Sequence, residues 1–107
     1  MREVILRPDA EADIEDATDY TIDHWGHEQA LAYIGELRRA IEALATTALR
    51  HPPYDAVHPG LRRKRSGMHH IDYLASEDCV EVLNILHVQR DPGLHLKVET
   101  WRAEGEE

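Results

Sequence analysis

The run of residues 79–88 constrains the fold of this chain more than any other stretch of the sequence. Val80 and Val82 alternate with polar residues, and residues 83–86 are almost continuously apolar. Aliphatic and β-branched residues in such a run favour a strand, and the continuous part indicates that both faces of the strand are covered. We therefore expect a central strand, which ends before Pro92.

A polar cluster occupies the end of this predicted strand. Its members are His87, Gln89, Arg90 and Asp91. Loops at the ends of rigid elements commonly carry functional groups. For any one of these residues, an ordinary solvated strand end is the simpler interpretation.

Length and composition are typical of one small cytoplasmic domain spanning residues 1–107, with a frayed polar tail from about residue 102. No run of 18 apolar residues is present, so no membrane span is expected, and the first residues lack the apolar segment of a signal peptide. The single cysteine, Cys79, cannot form an internal disulfide and is interpreted as a small hydrophobic residue.

The formal net charge of −9 is distributed unevenly along the chain. Residues 1–30 contain nine acidic and two basic residues, whereas residues 61–75 contain four basic residues and one acidic residue. Binding to phosphate groups requires lysine and arginine. The composition therefore argues against general nucleic-acid binding, unless the basic segment is used.

The N-terminal half predicts a strand at residues 2–6 and two helices separated by Gly26. The first helix opens at Pro8 and continues to about residue 24, and the second covers about residues 28–49. The short connection predicts antiparallel neighbours with Trp25 packed at their corner. The acidic residues of the first helix are interpreted as a solvated face, with a cationic partner as the alternative.

The C-terminal half predicts strands at residues 61–65, 68–74 and 79–88 after a proline-rich loop at residues 50–60. Residues 94–101 either add an edge strand or pack back loosely. The predicted fold is α+β: an N-terminal strand, then an antiparallel helical hairpin packed on a mostly antiparallel sheet with three C-terminal hairpin-connected strands.

The basic run of residues 62–65 has two open interpretations, a partner-binding surface or a charged edge strand that resists aggregation. His69 and His70 alternate across a predicted strand and so cannot bind one metal ion together. We find no convincing zinc-binding spacing and expect no metal site. His87 is a candidate acid–base group, but no nucleophile lies beside it in the sequence.

Several short stretches, taken in order, resemble the ParE branch of the RelE/ParE toxin superfamily over residues 3 to about 96. They are Leu6–Ile14, Tyr20 followed by Trp25-Gly26, Glu28–Ala30 with Tyr33, His58–Arg62, Gly67–Tyr73, and Val80–His87 with Arg90–Pro92. This chain departs from the family pattern at Asp72, because the residue before Tyr73 is usually apolar.

The resemblance implies a RelE/ParE-like fold and the toxin of a bacterial type II toxin–antitoxin module. Such a toxin inhibits DNA gyrase, needs no cofactor, is not an enzyme, and is neutralised by a ParD-like antitoxin through which alone it meets operator DNA. One alternative is the ribosome-dependent mRNA endonuclease activity of the RelE branch. Another is an inactive paralogue that only binds antitoxin.

The resemblance and the pattern together predict three sets of site residues. The predicted antitoxin-binding residues are Trp25, Ala30, Tyr33, Leu37 and Ile41. The predicted target-binding residues are Arg62, Arg63, Arg65, His87 and Arg90. If the chain were a nuclease, the catalytic residues would be His87, Arg62 and Lys64.

Overall fold

Four strands form one mixed sheet in the computed structural model, which describes residues 1–53 and 58–88. The elements are β1 (Glu3–Leu6), α1 (Pro8–Trp25), α2 (His27–Thr47), a 3-10 turn (Ala48–Arg50), β2 (Arg62–Ser66), β3 (His69–Ala75) and β4 (Cys79–His87). The strand order is β1-β4-β3-β2; β1 pairs parallel to β4, and the other two pairs are antiparallel. The predicted α+β architecture is confirmed, with element boundaries shifted by one or two residues. The possible strand at residues 94–101 lies outside the described residues.

β4 is a central strand, as predicted, and it contains a bulge. Asp72 of β3 lies opposite Asn84, but the next residue, Tyr73, lies opposite Val82, so Leu83 is the extra residue of β4. A bulge shifts the alternation of side chains by one position. It therefore keeps both Val82 and Ile85 in the core, although they are three residues apart.

The two helices begin and end where local chemistry dictates. Pro8 occupies the first turn of α1, and the acidic Asp9 and Glu11 of that turn oppose the positive end of the helix dipole. Gly26 ends α1 with a φ of 89°, a conformation that favours glycine. Its N–H donates to the carbonyl of Ile22, and its own carbonyl accepts from the N–H of Ala30 in the first turn of α2.

The core lies between the helical hairpin and one face of the sheet. Its fully buried side chains include Ile14 of α1, Leu37 and Leu44 of α2, and Ile71, Tyr73, Val80 and Val82 of the sheet. The Tyr73 hydroxyl donates to the Ala48 carbonyl at 2.5 Å. Burial raises the pKa of Tyr73 to about 12, against a smaller lowering by the charge of Arg62.

Trp25 does not pack at the corner of the hairpin, so this prediction is wrong. Its side chain is 65% exposed. The buried positions at that corner are taken by the smaller side chains of Thr21 and Ala30, which are 7% and 2% exposed. The indole consequently lies outside them, on the surface.

Candidate functional site

A groove opens where the C-terminal half of α1 and the first turns of α2 meet one end of the sheet. The strand register places His69, at the start of β3, opposite His87, at the end of β4. Their rings lie 5.1 Å apart, edge to face. The groove has two lobes that share Tyr20, His69 and His87, so the lobes form one continuous depression.

The larger lobe, here named the aromatic lobe, has a volume of about 250 Å³. Besides the three shared residues, it is lined by Thr21, Trp25, Gln29, Tyr33 and Met68. Met68 is 41% exposed, and the indole of Trp25 is largely exposed as well. Contiguous exposed apolar surface of this kind is characteristic of binding sites.

Hydrogen bonds to Met68 and His69 hold the side chain of Tyr33 in the lining of the aromatic lobe. Its hydroxyl accepts a hydrogen bond from the Met68 N–H at 2.9 Å and lies 2.6 Å from Nδ1 of His69. Burial raises the pKa of Tyr33, against smaller lowering by the Met68 bond and by Arg65. The phenol therefore stays protonated and able to donate at neutral pH.

Gly67 permits this close approach of Tyr33 to the β2–β3 turn. Its φ is +57°, in the left-handed region that favours glycine. A Cβ at this position would lie 2.7 Å from Cε1 of Tyr33 and 2.8 Å from its hydroxyl oxygen. Gly67 thus meets two separate requirements, one of backbone conformation and one of space.

The smaller lobe, here named the acidic lobe, has a volume of about 110 Å³ and adds Asp13, Asp16, Ala17 and Ile85 to the shared residues. Oδ2 of Asp13 accepts a hydrogen bond from the Ile85 N–H at 2.9 Å, which ties α1 to β4 just beyond the bulge. Asp16 is exposed, and within residues 1–53 and 58–88 it has no ion-pair partner. The lobe therefore presents a carboxylate that is available to a cation.

Tyr20 forms the ridge between the two lobes. Its ring stacks on His24 with 3.9 Å between the ring centroids and lies 6.2 Å from the ring of His87. Nδ1 of His24 donates to the Tyr20 carbonyl at 2.8 Å, so the imidazole is held against its own helix. This stack restricts the rotamer of Tyr20.

The predicted target-binding residues do not form one sheet-end patch. Arg62 pairs with Tyr73 in the β2–β3 register, whereas Arg65 pairs with His70, so only Arg65 lies towards the His87 end of the sheet. Arg63 is directed at Asp72, with which it makes two hydrogen bonds. Arg62 and Arg63 therefore do not lie with His87 at one end of the sheet, because side chains alternate along a strand and their positions follow the register. Contact of these residues with a target stays a prediction. Arg90 lies outside the described residues.

The residues of the nuclease hypothesis are likewise separated. Arg62 donates from Nη1 to the His51 carbonyl at 2.6 Å, and Nζ of Lys64 lies 3.5 Å from the Ala40 carbonyl oxygen. Both cations are thus directed at carbonyl groups at and beyond the C-terminal half of α2. His87 lies two strands away, in β4. The structure does not bring the three groups together.

The predicted antitoxin-binding residues divide into two groups. Ala30, Leu37 and Ile41 are only 2%, 1% and 3% exposed, because the apolar stripe of α2 packs against α1 and the sheet. These three side chains are therefore buried in this structure and are not on the surface of the hairpin. Trp25 and Tyr33 line the aromatic lobe, and their contact with an antitoxin stays a prediction.

Sequence reasoning missed Asp16, Tyr20, Met68 and His69 as members of the site. The helical spacing of Asp13, Asp16 and Tyr20 places them on one stripe of α1 and was a usable signal. His69 had no comparable signal, because its place beside His87 follows from the strand register.

Among the described residues, no three His, Cys, Asp or Glu side chains are arranged to hold a metal ion. Neither described helix has the length and apolar character needed to cross a bilayer.

The family model and the similar proteins all point to one family. A family model for the ParE toxin of the type II toxin–antitoxin system, parDE, matches residues 4–92. Toxin ParE1 of Mycobacterium tuberculosis (strain H37Rv) is 34% identical over 88 residues, which cover 81% of this chain and 90% of that relative. Toxin ParE1 of Caulobacter vibrioides is 33% identical over 96 residues, which cover 90% of this chain and 99% of that relative.

A solved structure described as the chromosomal ParDE TA system from P. aeruginosa has the same fold. The match has a TM-score of 0.72 at 19% identity and covers 82% of this chain and 97% of that chain. The family model and the two relatives span most of the sequence, and a third of the aligned residues are identical. This chain therefore belongs to the ParE toxin family of type II toxin–antitoxin systems.

Proposed function

We propose that this chain is the toxin of a bacterial type II toxin–antitoxin module, that it inhibits DNA gyrase and thereby replication, and that a ParD-like antitoxin neutralises it. The observation that carries the proposal is the family match over residues 4–92, which includes nearly all of the described strands and helices. Such a toxin works in the cytoplasm as an inhibitor, without a cofactor. It meets operator DNA only through the antitoxin.

The proposed antitoxin contact is the groove at the hairpin end rather than the full length of α2. Trp25 and Tyr33 remain from the predicted set because they line the aromatic lobe. Tyr20 is added because it is 45% exposed on the ridge between the lobes. An antitoxin segment seated there covers apolar surface that water otherwise contacts, which favours association.

Inhibition by binding is favoured over mRNA cleavage by the placement of the cations. RNA cleavage without a metal requires cations and an acid–base group around one phosphate. Arg62 and Lys64 are instead directed at backbone carbonyls, away from His87. The net charge of −9 also opposes docking onto ribosomal RNA.

The proposed target contact includes Arg65, whose side chain is exposed near the end of β2. We expect Arg65→Glu to relieve growth arrest while antitoxin binding persists. Arg38→Glu is the matched control, since Arg38 is an exposed arginine of α2 and the change in net charge is the same. If both variants arrest growth as the wild type does, Arg65 is not part of the target contact.

A supercoiling assay tests the proposed activity. Purified protein is added to DNA gyrase, relaxed plasmid and ATP, with and without the cognate antitoxin. The expected result is loss of supercoiling or accumulation of cleaved plasmid, reversed by the antitoxin. Unaffected gyrase together with cleavage of ribosome-bound mRNA would support the RelE-type alternative. Unaffected gyrase, intact mRNA and no growth arrest on expression would identify an inactive paralogue.

A further inference from the structure

The groove lies beside α1, which is the most acidic of the helices and strands in residues 1–53 and 58–88. α1 contains seven carboxylate side chains and no lysine or arginine. Asp16, Asp19 and Asp23 follow one stripe of this helix at spacings of three and four residues. All three are exposed, and none has an ion-pair partner in the described parts of the chain. Asp16 lines the acidic lobe, and Asp19 and Asp23 continue the same stripe of carboxylates on α1 outside the two lobes.

The lining of the two lobes gives them different preferences. The aromatic lobe, with Trp25, Tyr33 and Met68, suits an apolar side chain, whereas the acidic lobe, with Asp13 and Asp16, suits a cation. No lysine or arginine of the described segments lines either lobe. An incoming cation thus meets carboxylates in the acidic lobe, whereas the charge of Arg65 acts on Tyr33 and Met68 in the aromatic lobe.

The ridge between the lobes also favours a cation. The ring of Tyr20 is 45% exposed and is held in place by its stack on His24. A guanidinium or ammonium group is attracted to the face of an aromatic ring. A side chain that crosses this ridge towards Asp16 would meet the ring on the way and the carboxylate at its end.

We propose that the groove binds an apolar side chain together with a neighbouring arginine or lysine of the antitoxin, the two side chains lying on either side of Tyr20. This inference rests on the proposed function and adds that the antitoxin segment covering this end of the toxin is basic. Two features favour this occupant. The carboxylates of α1 attract a positively charged segment, and the apolar lobe lies directly beside the acidic lobe. Long-range attraction to α1 also speeds the encounter.

The first test is a charge exchange, measured by isothermal titration calorimetry with the full-length cognate antitoxin. Asp16→Lys is expected to weaken binding by about tenfold or more, as is typical when one member of a close interfacial charge pair is reversed. Each arginine and lysine of the antitoxin is then changed to glutamate in turn. One such antitoxin variant should bind the wild-type toxin weakly and the Asp16→Lys toxin with affinity restored.

Glu15→Lys is the matched control for Asp16→Lys. Glu15 is the adjacent residue of the same helix, is exposed, and lines neither lobe. The variant has the same change in net charge, so its affinity should stay within about twofold of the wild type, because charges away from the contact are screened by salt. Circular dichroism of both variants verifies that each is folded.

The apolar half of the proposal has its own pair of variants. Trp25→Ala is expected to weaken antitoxin binding by about 30-fold, the effect of removing an aromatic anchor from an interface. Leu31→Ala is the control, because Leu31 is 76% exposed on α2 but does not line the groove. Its affinity should match that of the wild type.

The possible outcomes separate this inference from the proposed function. In one outcome, the wild-type toxin binds the antitoxin, Asp16→Lys has the same affinity as Glu15→Lys, and Trp25→Ala has the same affinity as Leu31→Ala. The groove proposal is then overturned and the proposed function stands. If the wild type binds no antitoxin, both fail. If the toxin alone is a dimer by light scattering and Trp25→Ala makes it a monomer, a second copy occupies the groove and the proposal is overturned.

Discussion

Arg63 and Asp72 lie opposite each other in the β2–β3 register and are joined by two hydrogen bonds, of 2.7 and 3.0 Å. Their side chains are only 13% and 4% exposed, and Nδ2 of Asn84 lies 3.5 Å from Asp72 Oδ2. The carboxylate of Asp72 is accommodated in the interior because a paired cation is buried with it. Arg63 is therefore engaged within the fold.

Asp72→Asn should destabilise the protein by roughly 3 kcal/mol, because it leaves the Arg63 guanidinium buried without its countercharge. Urea unfolding measures the change in free energy. Glu81→Gln is the matched control: it breaks the Arg7–Glu81 pair, whose side chains are 54% and 38% exposed, and should cost less than about 1 kcal/mol. Equal effects of the two substitutions would show that the Arg63–Asp72 pair behaves as a surface ion pair.

Gly67→Ala should destabilise the protein by about 2–3 kcal/mol, through backbone strain at positive φ and through contact of the new Cβ with Tyr33. Gly60→Ala separates these causes, because Gly60 has a φ of +81° but a Cβ there would come no closer than 4.0 Å to its nearest neighbour, Leu74 Cδ2. Thermal unfolding should show the larger loss for Gly67→Ala. In a Tyr33→Leu background, the additional loss of stability in Gly67→Ala relative to Gly60→Ala should disappear. If the additional loss persists, contact with Tyr33 is not its cause.

Tyr73→Phe should cost about 1–2 kcal/mol at neutral pH, because the buried hydroxyl donates to the Ala48 carbonyl. Burial raises the pKa of Tyr73 from its ordinary value of 10.0 to about 12. The hydroxyl's contribution is thus complete below pH 10 and is lost as the pH rises towards 12. Urea unfolding across this range should show the wild type approaching the Phe variant. Tyr20→Phe, at an exposed tyrosine, serves as the control. If the difference in unfolding free energy between the wild type and Tyr73→Phe does not narrow as the pH rises, the loss is not caused by ionisation of the Tyr73 hydroxyl.

Stability should fall at mildly acidic pH through His51. Burial lowers the pKa of His51, and the charges of Lys64, Arg50 and Arg62 lower it further. The unfolded chain therefore binds a proton more readily than the folded protein does. The contribution of neutral His51 to stability is fully present above the ordinary histidine pKa of 6.5 and is lost as the pH falls through the lower pKa of the folded state.

His51→Gln should reduce the difference in unfolding free energy between about pH 7.5 and about pH 5.0, which lie on either side of the ordinary histidine pKa. His27→Gln, at the exposed start of α2, is the control and should leave the difference as in the wild type. Denaturant unfolding at the two pH values measures both. An undiminished difference in the His51 variant would assign the acid sensitivity to another group.

The elements of this fold followed from rules that act over a few residues. Pro8 starts α1, Gly26 separates the helices, and the apolar stripe of α2 predicts the face that is buried. The run after Cys79 correctly predicts a central strand. These features depend on neighbours in the chain, so a single sequence was sufficient to find them.

The contents of the groove and the partners of the charged residues depended on pairings between distant residues. The extra residue Leu83 sets which side of β4 carries His87, and the register then places His69 beside it. The β2–β3 register likewise joins Arg63 to Asp72 and removes that arginine from the surface. Hydrophobic periodicity specifies which face of an element is buried but not which residue of another element lies opposite. That choice is made when the sheet and the helices pack together.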